Sequence, residues 1–72
     1  MSEPEPILVT LGRSLRAVRV ERGMSQEELH METGVHRNYI GGIERAERNP
    51  TVTTVAKLAN ALGVSVDSLL SN

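Results

Sequence analysis

Residues 26–50 read QEELHMETGVHRNYIGGIERAERNP, and this stretch decides the fold. Just ahead of it, Ser25 followed by Glu28 spells a capping box: the serine hydroxyl takes the amide of the third helical residue and the glutamate reaches back. The helix so opened carries Leu29 and Met31 and is stopped by Gly34. Shortly after, Arg37 begins a second run, with Tyr39, Ile40 and Ile43 inward or half-inward, that ends before Asn49-Pro50. The segment is therefore two short helices set at an angle by a tight glycine turn.

Working outward, Leu8, Leu11, Leu15 and Val18 form one stripe of an amphipathic helix that stops at Gly23. On the other side, Thr51 caps a helix whose buried stripe is Val52, Val55, Ala59 and Leu62, with Gly63 as the stop. The β-branched run at 52–55 has strand propensity, but the helical period continues through Leu62 and outweighs it. Ser65 caps a last turn with Val66, Leu69 and Leu70. The fold class is all-α, five short helices. Residues 1–7, with two Glu-Pro pairs, read as a flexible tail and 8–72 as one domain, its central motif at about 26–45.

With 72 residues and no cysteine, the chain has neither a disulfide framework nor thiolate metal sites nor thiol catalysis, which suits a reducing, cytoplasmic setting. No apolar run reaches the ~20 residues of a membrane span, and the acidic start is unlike a signal peptide. Tyr39 is the only aromatic residue, so the core is aliphatic and leaves little material for a catalytic cleft. The net charge of −1 hides an asymmetry: all eight basic residues lie at or after Arg13, and Glu3 and Glu5 sit in the tail.

The outer face of the second motif helix reads His36, Arg37, Asn38, Gly41, Gly42 and Arg45, with Tyr39 flanking and nothing bulky and apolar. Two helices joined by a tight turn with glycine make a helix-turn-helix, whose second helix can enter the major groove of DNA. Arginine can bond guanine O6 and N7 bidentately, and asparagine can do the same for adenine N6 and N7.

These blocks, namely Ser25-Gln-Glu-Glu-Leu29, Gly34-Val35, Tyr39 with Ile43-Glu-Arg45, Arg48-Asn-Pro50 and Leu58 to Ser65, resemble the Cro/repressor-type (XRE-like) helix-turn-helix family over roughly residues 8 to 70. The stretch Gly42-Ile-Glu-Arg-Ala-Glu-Arg-Asn-Pro50 is similar to the controller proteins of restriction–modification systems. The resemblance implies a five-helix, lambda-repressor-like domain that binds double-stranded operator DNA as a homodimer and regulates transcription. It places His36, Arg37, Asn38 and Gly42 at base-facing positions. Arg16, Ser25, Gln26, Tyr39, Arg45, Arg48 and Asn49 fall where phosphate contacts are expected, and Arg19 and Glu44 match an ion pair that ties the first helix to the end of the recognition helix. Two positions depart from the pattern. His30 stands where alanine is common, so its ring must tilt outward or push the motif helices apart. Ala46 stands where glycine commonly follows, and if left-handed it costs about 1–2 kcal/mol. Gly41 and Gly42 are costly inside a helix, and we expect one of them to let its backbone approach the groove wall.

Arg13, Arg16, Arg19 and Arg22 recur every third residue; Arg22 is expected on a solvated face. His30, His36 and Glu32 make a poor metal site, and Ser25 near His30 lacks the partners of a catalytic pair, so no cofactor, metal or enzymatic activity is expected. Val66, Leu69 and Leu70 offer more apolar surface than so small a chain readily hides and are expected to seed a symmetric dimer. No small-molecule effector and no membrane are expected as partners. The alternative reading is an antitoxin-like or bridging module that uses the same fold to hold another protein.

Overall fold

Of the five helices among the described residues, four start at a side chain that caps the first turn and three run out into a left-handed glycine, so that backbone groups a helix end leaves unpaired are satisfied locally. The computed structural model describes residues 3–71, and within them the order is α1 Pro6–Glu21, α2 Gln26–Thr33, α3 Arg37–Glu44, α4 Val52–Leu62 and α5 Val66–Leu70, with no strand. Met1, Ser2 and Asn72, part of the expected tail and the last domain residue, lie outside the described residues.

The capping box at α2 is formed: Ser25 Oγ accepts from the Glu28 amide and Glu28 Oε1 from the Ser25 amide, both at 2.9 Å. Hydrogen bonding from Ser25 to the carboxylate, from its backbone amide first and its side chain second, holds the Glu28 carboxyl below its ordinary range. Thr51 and Ser65 cap α4 and α5 in the same way, accepting from the amides of Thr54 and Ser68. The helix α1 takes in Pro6 and Ile7, which the sequence reading places in the tail. Proline fits the first turn because its missing N–H would be unpaired there anyway, while the Glu5 carbonyl accepts from the amides of Leu8 and Val9.

The core is Leu11, Leu15, Leu29, Ile40, Ile43, Val55, Leu58, Ala59, Leu62 and Leu69. Helix α1 packs on α3 and α5, α2 on α3 and α4, and α4 on α5. At the crossing of α1 and α3 the backbones come so close that a Cβ on Gly12 would lie 2.6 Å from the Ile43 carbonyl oxygen and 2.7 Å from that of Glu44. Gly12 is thus the residue that sets the approach of α3 to α1.

Four side chains sit elsewhere than the sequence suggests. Met31 and Val52 are each 75% exposed; Met31 lies two residues from Leu29 on a helix and so turns away from it, and Val52 opens α4 outside the stripe of Val55, Leu58, Ala59 and Leu62. Leu69 is fully buried within the chain, so it belongs to the core and is not free to form a dimer interface; Val66 and Leu70 are half-buried. They line, with Ile7, Leu8, Pro50 and Val52, an apolar groove of about 120 Å³. Arg22 is not simply solvated: its Nε donates to the Leu62 carbonyl at 3.0 Å, clasping the ends of α1 and α4 together.

Candidate nucleic-acid interface

The second motif helix, α3, is only eight residues long, so its position depends on what braces it. Glu44, at its last turn, accepts from Arg19 Nε at 2.7 Å, from Arg19 Nη2 at 3.0 Å and from Gln26 Nε2 at 3.0 Å. Arg19 completes its bonding through Nη1 to the Met24 carbonyl at 2.8 Å. The side chains of Arg19 and Glu44 are 10% and 3% exposed, and the bond to Glu44 raises the arginine above its ordinary value against the opposing effect of burial. One buried carboxylate thereby joins α1, α2 and α3, with the sequence-expected pair Arg19–Glu44 at its centre. The same carboxylate fixes the Gln26 amide at the start of α2.

The N-terminus of α3 is capped by His36, whose Nδ1 accepts from the Asn38 amide at 3.0 Å. This bond requires Nδ1 to be unprotonated and leaves Nε2–H as the donor at the other side of the ring. The sequence reading missed this role, because histidine is not among the usual capping residues. His36 also meets the departure at His30: the two rings lie 5.0 Å apart and tilted by 38°, so the half-buried His30 ring packs across the turn against His36. His30 Nδ1 is buried with no hydrogen-bond partner among the described residues.

Beyond the cap, Arg37 and Asn38 are exposed at the start of α3 and Tyr39 is half-buried. The two glycines of the outer face are not bare. A Cβ on Gly41 would lie 2.9 Å from Arg45 Nη1 and 3.3 Å from Gln26 Oε1, and one on Gly42 would lie 2.6 Å from Arg48 Cγ. Arg45 and Gln26 therefore roof Gly41, and Arg48 roofs Gly42, so Gly42 is buried here rather than open to a base. Arg48 also places its guanidinium carbon 5.8 Å from the Tyr39 ring centroid, a cation–π contact. Arg45 Nε bonds Glu47 at 3.1 Å. The glycine pair is what lets two arginines lie flat against a short helix.

The exit from α3 is a Schellman turn built on Ala46 at φ +60°, with the Ala46 amide on the Ile43 carbonyl and the Glu47 amide on the Gly42 carbonyl. The left-handed position feared for an alanine is realised, and the turn directs Arg48 back over Gly42 and Asn49 outward. Gln26, Arg45 and Arg48 thus border the outer face of α3 beside Tyr39, while Ser25 is exposed at the cap of α2 and Arg16 is exposed on α1. No cluster of three potential metal ligands occurs among the described residues, and no helix there is long and apolar enough to cross a membrane.

Residues 15–69 match the family described as helix-turn-helix. The control protein C.SmaI of Serratia marcescens is 46% identical over 61 residues, covering 85% of this chain and 73% of that protein. The crystal structure of the restriction-modification controller protein C.AhdI from Aeromonas hydrophila is similar with a TM-score of 0.82 at 42% identity, covering 86% of this chain and 94% of that one. The controller protein C.Esp1396I, as a tetramer in complex with its natural 35 base-pair operator, gives a TM-score of 0.80 at 29% identity over 93% of this chain and 99% of that one.

Proposed function

The chain belongs to the helix-turn-helix family of transcriptional regulators, and we propose that it binds a near-palindromic operator in double-stranded DNA as a homodimer and so regulates its own expression. The observation that carries the reading is the exposed start of α3, where Arg37 and Asn38 stand clear of the core on a helix that Glu44 braces against α1 and α2. In this reading His36, Arg37 and Asn38 address base edges, with the backbone at Gly42 joining them once Arg48 swings onto a phosphate. Arg16, Ser25, Gln26, Tyr39, Arg45, Arg48 and Asn49 hold the phosphate backbone. Phosphate contacts supply most of the affinity and its salt dependence, and base contacts supply the specificity. The protein acts by binding, in the cytoplasm, rather than by catalysis.

What supports a dimer is the apolar groove between α1, α4 and α5, where Ile7 and Val52 are exposed beside Val66 and Leu70. A two-fold pair joined there would set two copies of α3 in successive major grooves, about 34–36 Å apart. What supports operator binding and self-control is the likeness to control and controller proteins, one of them in complex with its natural operator.

Enrichment of random duplexes on the purified protein at about 150 mM salt tests this reading. The expected product is a two-fold symmetric motif with half-sites about 10–10.5 base pairs apart. Enrichment of no motif overturns the reading. Val52→Asp, at an exposed position, is expected to shift the protein to monomer in sedimentation and to weaken binding to the symmetric site; a dimer that survives it removes this groove from the interface.

A further inference from the structure

Glu27, the second residue of α2, takes no part in the roles assigned so far. Its Oε2 accepts from Arg37 Nη1 at 2.8 Å, across the turn and ten positions away in sequence. Its Oε1 stands 3.7 Å from His30 Nδ1. The side chains of Glu27 and Arg37 are 50% and 52% exposed. An ion pair as wet as this contributes little to folding, because solvent screens it and two long side chains must be held still to make it. Its significance lies in which side chain it holds. Of the five N–H donors on a guanidinium, Glu27 engages one on Nη1, and the Nε–Nη2 edge of Arg37 makes no hydrogen bond within the described residues. That edge is the fork that matches guanine O6 and N7.

We infer that Glu27 is a positioning residue for base recognition: it anchors Arg37 by one nitrogen so that the free edge of the guanidinium is presented to a guanine in the major groove. The inference rests on the proposal that Arg37 reads a base. Without the anchor, Arg37 becomes a mobile cation that any nearby phosphate can capture, and its contribution turns from specific to general. A carboxylate at a DNA-facing surface also repels phosphates on every sequence. Loss of Glu27 therefore has two opposite consequences, tighter binding to all DNA and poorer discrimination between sequences.

The test measures dissociation constants of the full chain for its selected operator and for operators with single base pairs replaced. Arg37→Ala first identifies the base pair: at that position alone, the variant no longer distinguishes operator from replacement, where the wild-type protein prefers the operator by roughly 5- to 150-fold. Glu27→Ala is expected to lower the preference at that same base pair at least about fivefold while binding a scrambled duplex more tightly. Glu27→Gln keeps an acceptor oxygen without the charge, and is expected to retain the preference while binding all duplexes more tightly. If Arg37→Ala loses the preference and Glu27→Ala keeps it, or if Glu27→Gln behaves like Glu27→Ala, the positioning role is overturned and the base-reading role of Arg37 stands. If Arg37→Ala keeps the preference at every base pair, the underlying reading itself fails. Thermal melts of the three variants, all at exposed positions, confirm that each retains the fold.

Discussion

Removing Glu44 is the perturbation whose size the structure fixes best. Its carboxylate accepts three hydrogen bonds, two from Arg19 and one from Gln26, at an exposure of 3%. Glu44→Ala leaves the Arg19 guanidinium buried with Nε and Nη2 unpaired, and Gln26 without its acceptor. Breaking a buried pair by deleting one partner costs about 3–5 kcal/mol, mainly because the remaining charge is uncompensated. A chain of this size has about 4–11 kcal/mol of stability in all, at ~0.05–0.15 kcal/mol per residue. The substitution therefore consumes at least about a quarter of that stability, and the whole of it at the lower end. Each kcal/mol moves the melting temperature of so small a domain by about 4–8 °C, so the expected fall is about 12 °C or more. Replacing both partners with apolar residues, Arg19→Met with Glu44→Leu, leaves no orphaned charge and is expected to restore stability to within about 1–2 kcal/mol of the wild type. That double variant still lacks the acceptor for Gln26, so DNA affinity stays low although the fold returns. Urea unfolding followed by circular dichroism measures the first two quantities and fluorescence anisotropy the third. A cost below about 1 kcal/mol for Glu44→Ala, the value of a wet surface pair, would refute the account of Glu44 as the buried brace of α3.

Three further outcomes follow from the same geometry. Gly12→Ala places a Cβ at 2.6 and 2.7 Å from two backbone oxygens that have no rotamer to yield, and is expected to cost about 1–3 kcal/mol in urea unfolding despite alanine's better helix propensity; a more stable variant would contradict the close crossing. Ala46→Gly relieves about 1–2 kcal/mol of left-handed strain against about 0.4–1 kcal/mol of added chain entropy, so the melting temperature rises by a few degrees; a fall would contradict the strain at φ +60°. His36→Ala loses the cap of α3 and about 1 kcal/mol, and His36→Asn restores that stability without restoring operator affinity; full affinity in the asparagine variant would reduce His36 to a cap alone.

The elements of this fold were legible because their ends are written locally. The capping box at Ser25 and Glu28, the threonine at 51, the serine at 65 and the glycines at 23, 34 and 63 each act within a few residues of the backbone groups they satisfy. What crosses between helices was harder to read. Gly12 has no signature of its own, since only the carbonyls of Ile43 and Glu44, brought near by the fold, make its missing side chain necessary. The pairing of Glu27 with Arg37 and of Arg22 with the Leu62 carbonyl depends likewise on how separate helices are set. In α5, three apolar residues on a five-residue helix left no periodicity to tell Leu69, which points into the core, from Val66 and Leu70 at its edge. On α3 the glycine pair was visible, but the arginines that lie over it were not, because Arg45 and Arg48 reach back from beyond the helix end. The ion pair of Arg19 and Glu44 was found through the family resemblance, as was a bracing role for Gln26; that the Gln26 amide braces α3 through the same Glu44 carboxylate emerged only with the fold.

The central claim, a sequence-specific dimer that reads DNA with α3, is tested most directly by fluorescence anisotropy on two labelled duplexes at about 150 mM salt, one from the DNA upstream of the protein's own coding sequence and one a scramble of it. The account predicts binding at least about a hundredfold tighter to the upstream duplex, with two protomers per two-fold site. Equal and weak binding to both would contradict it, and would leave the same fold to serve as a module that holds another protein.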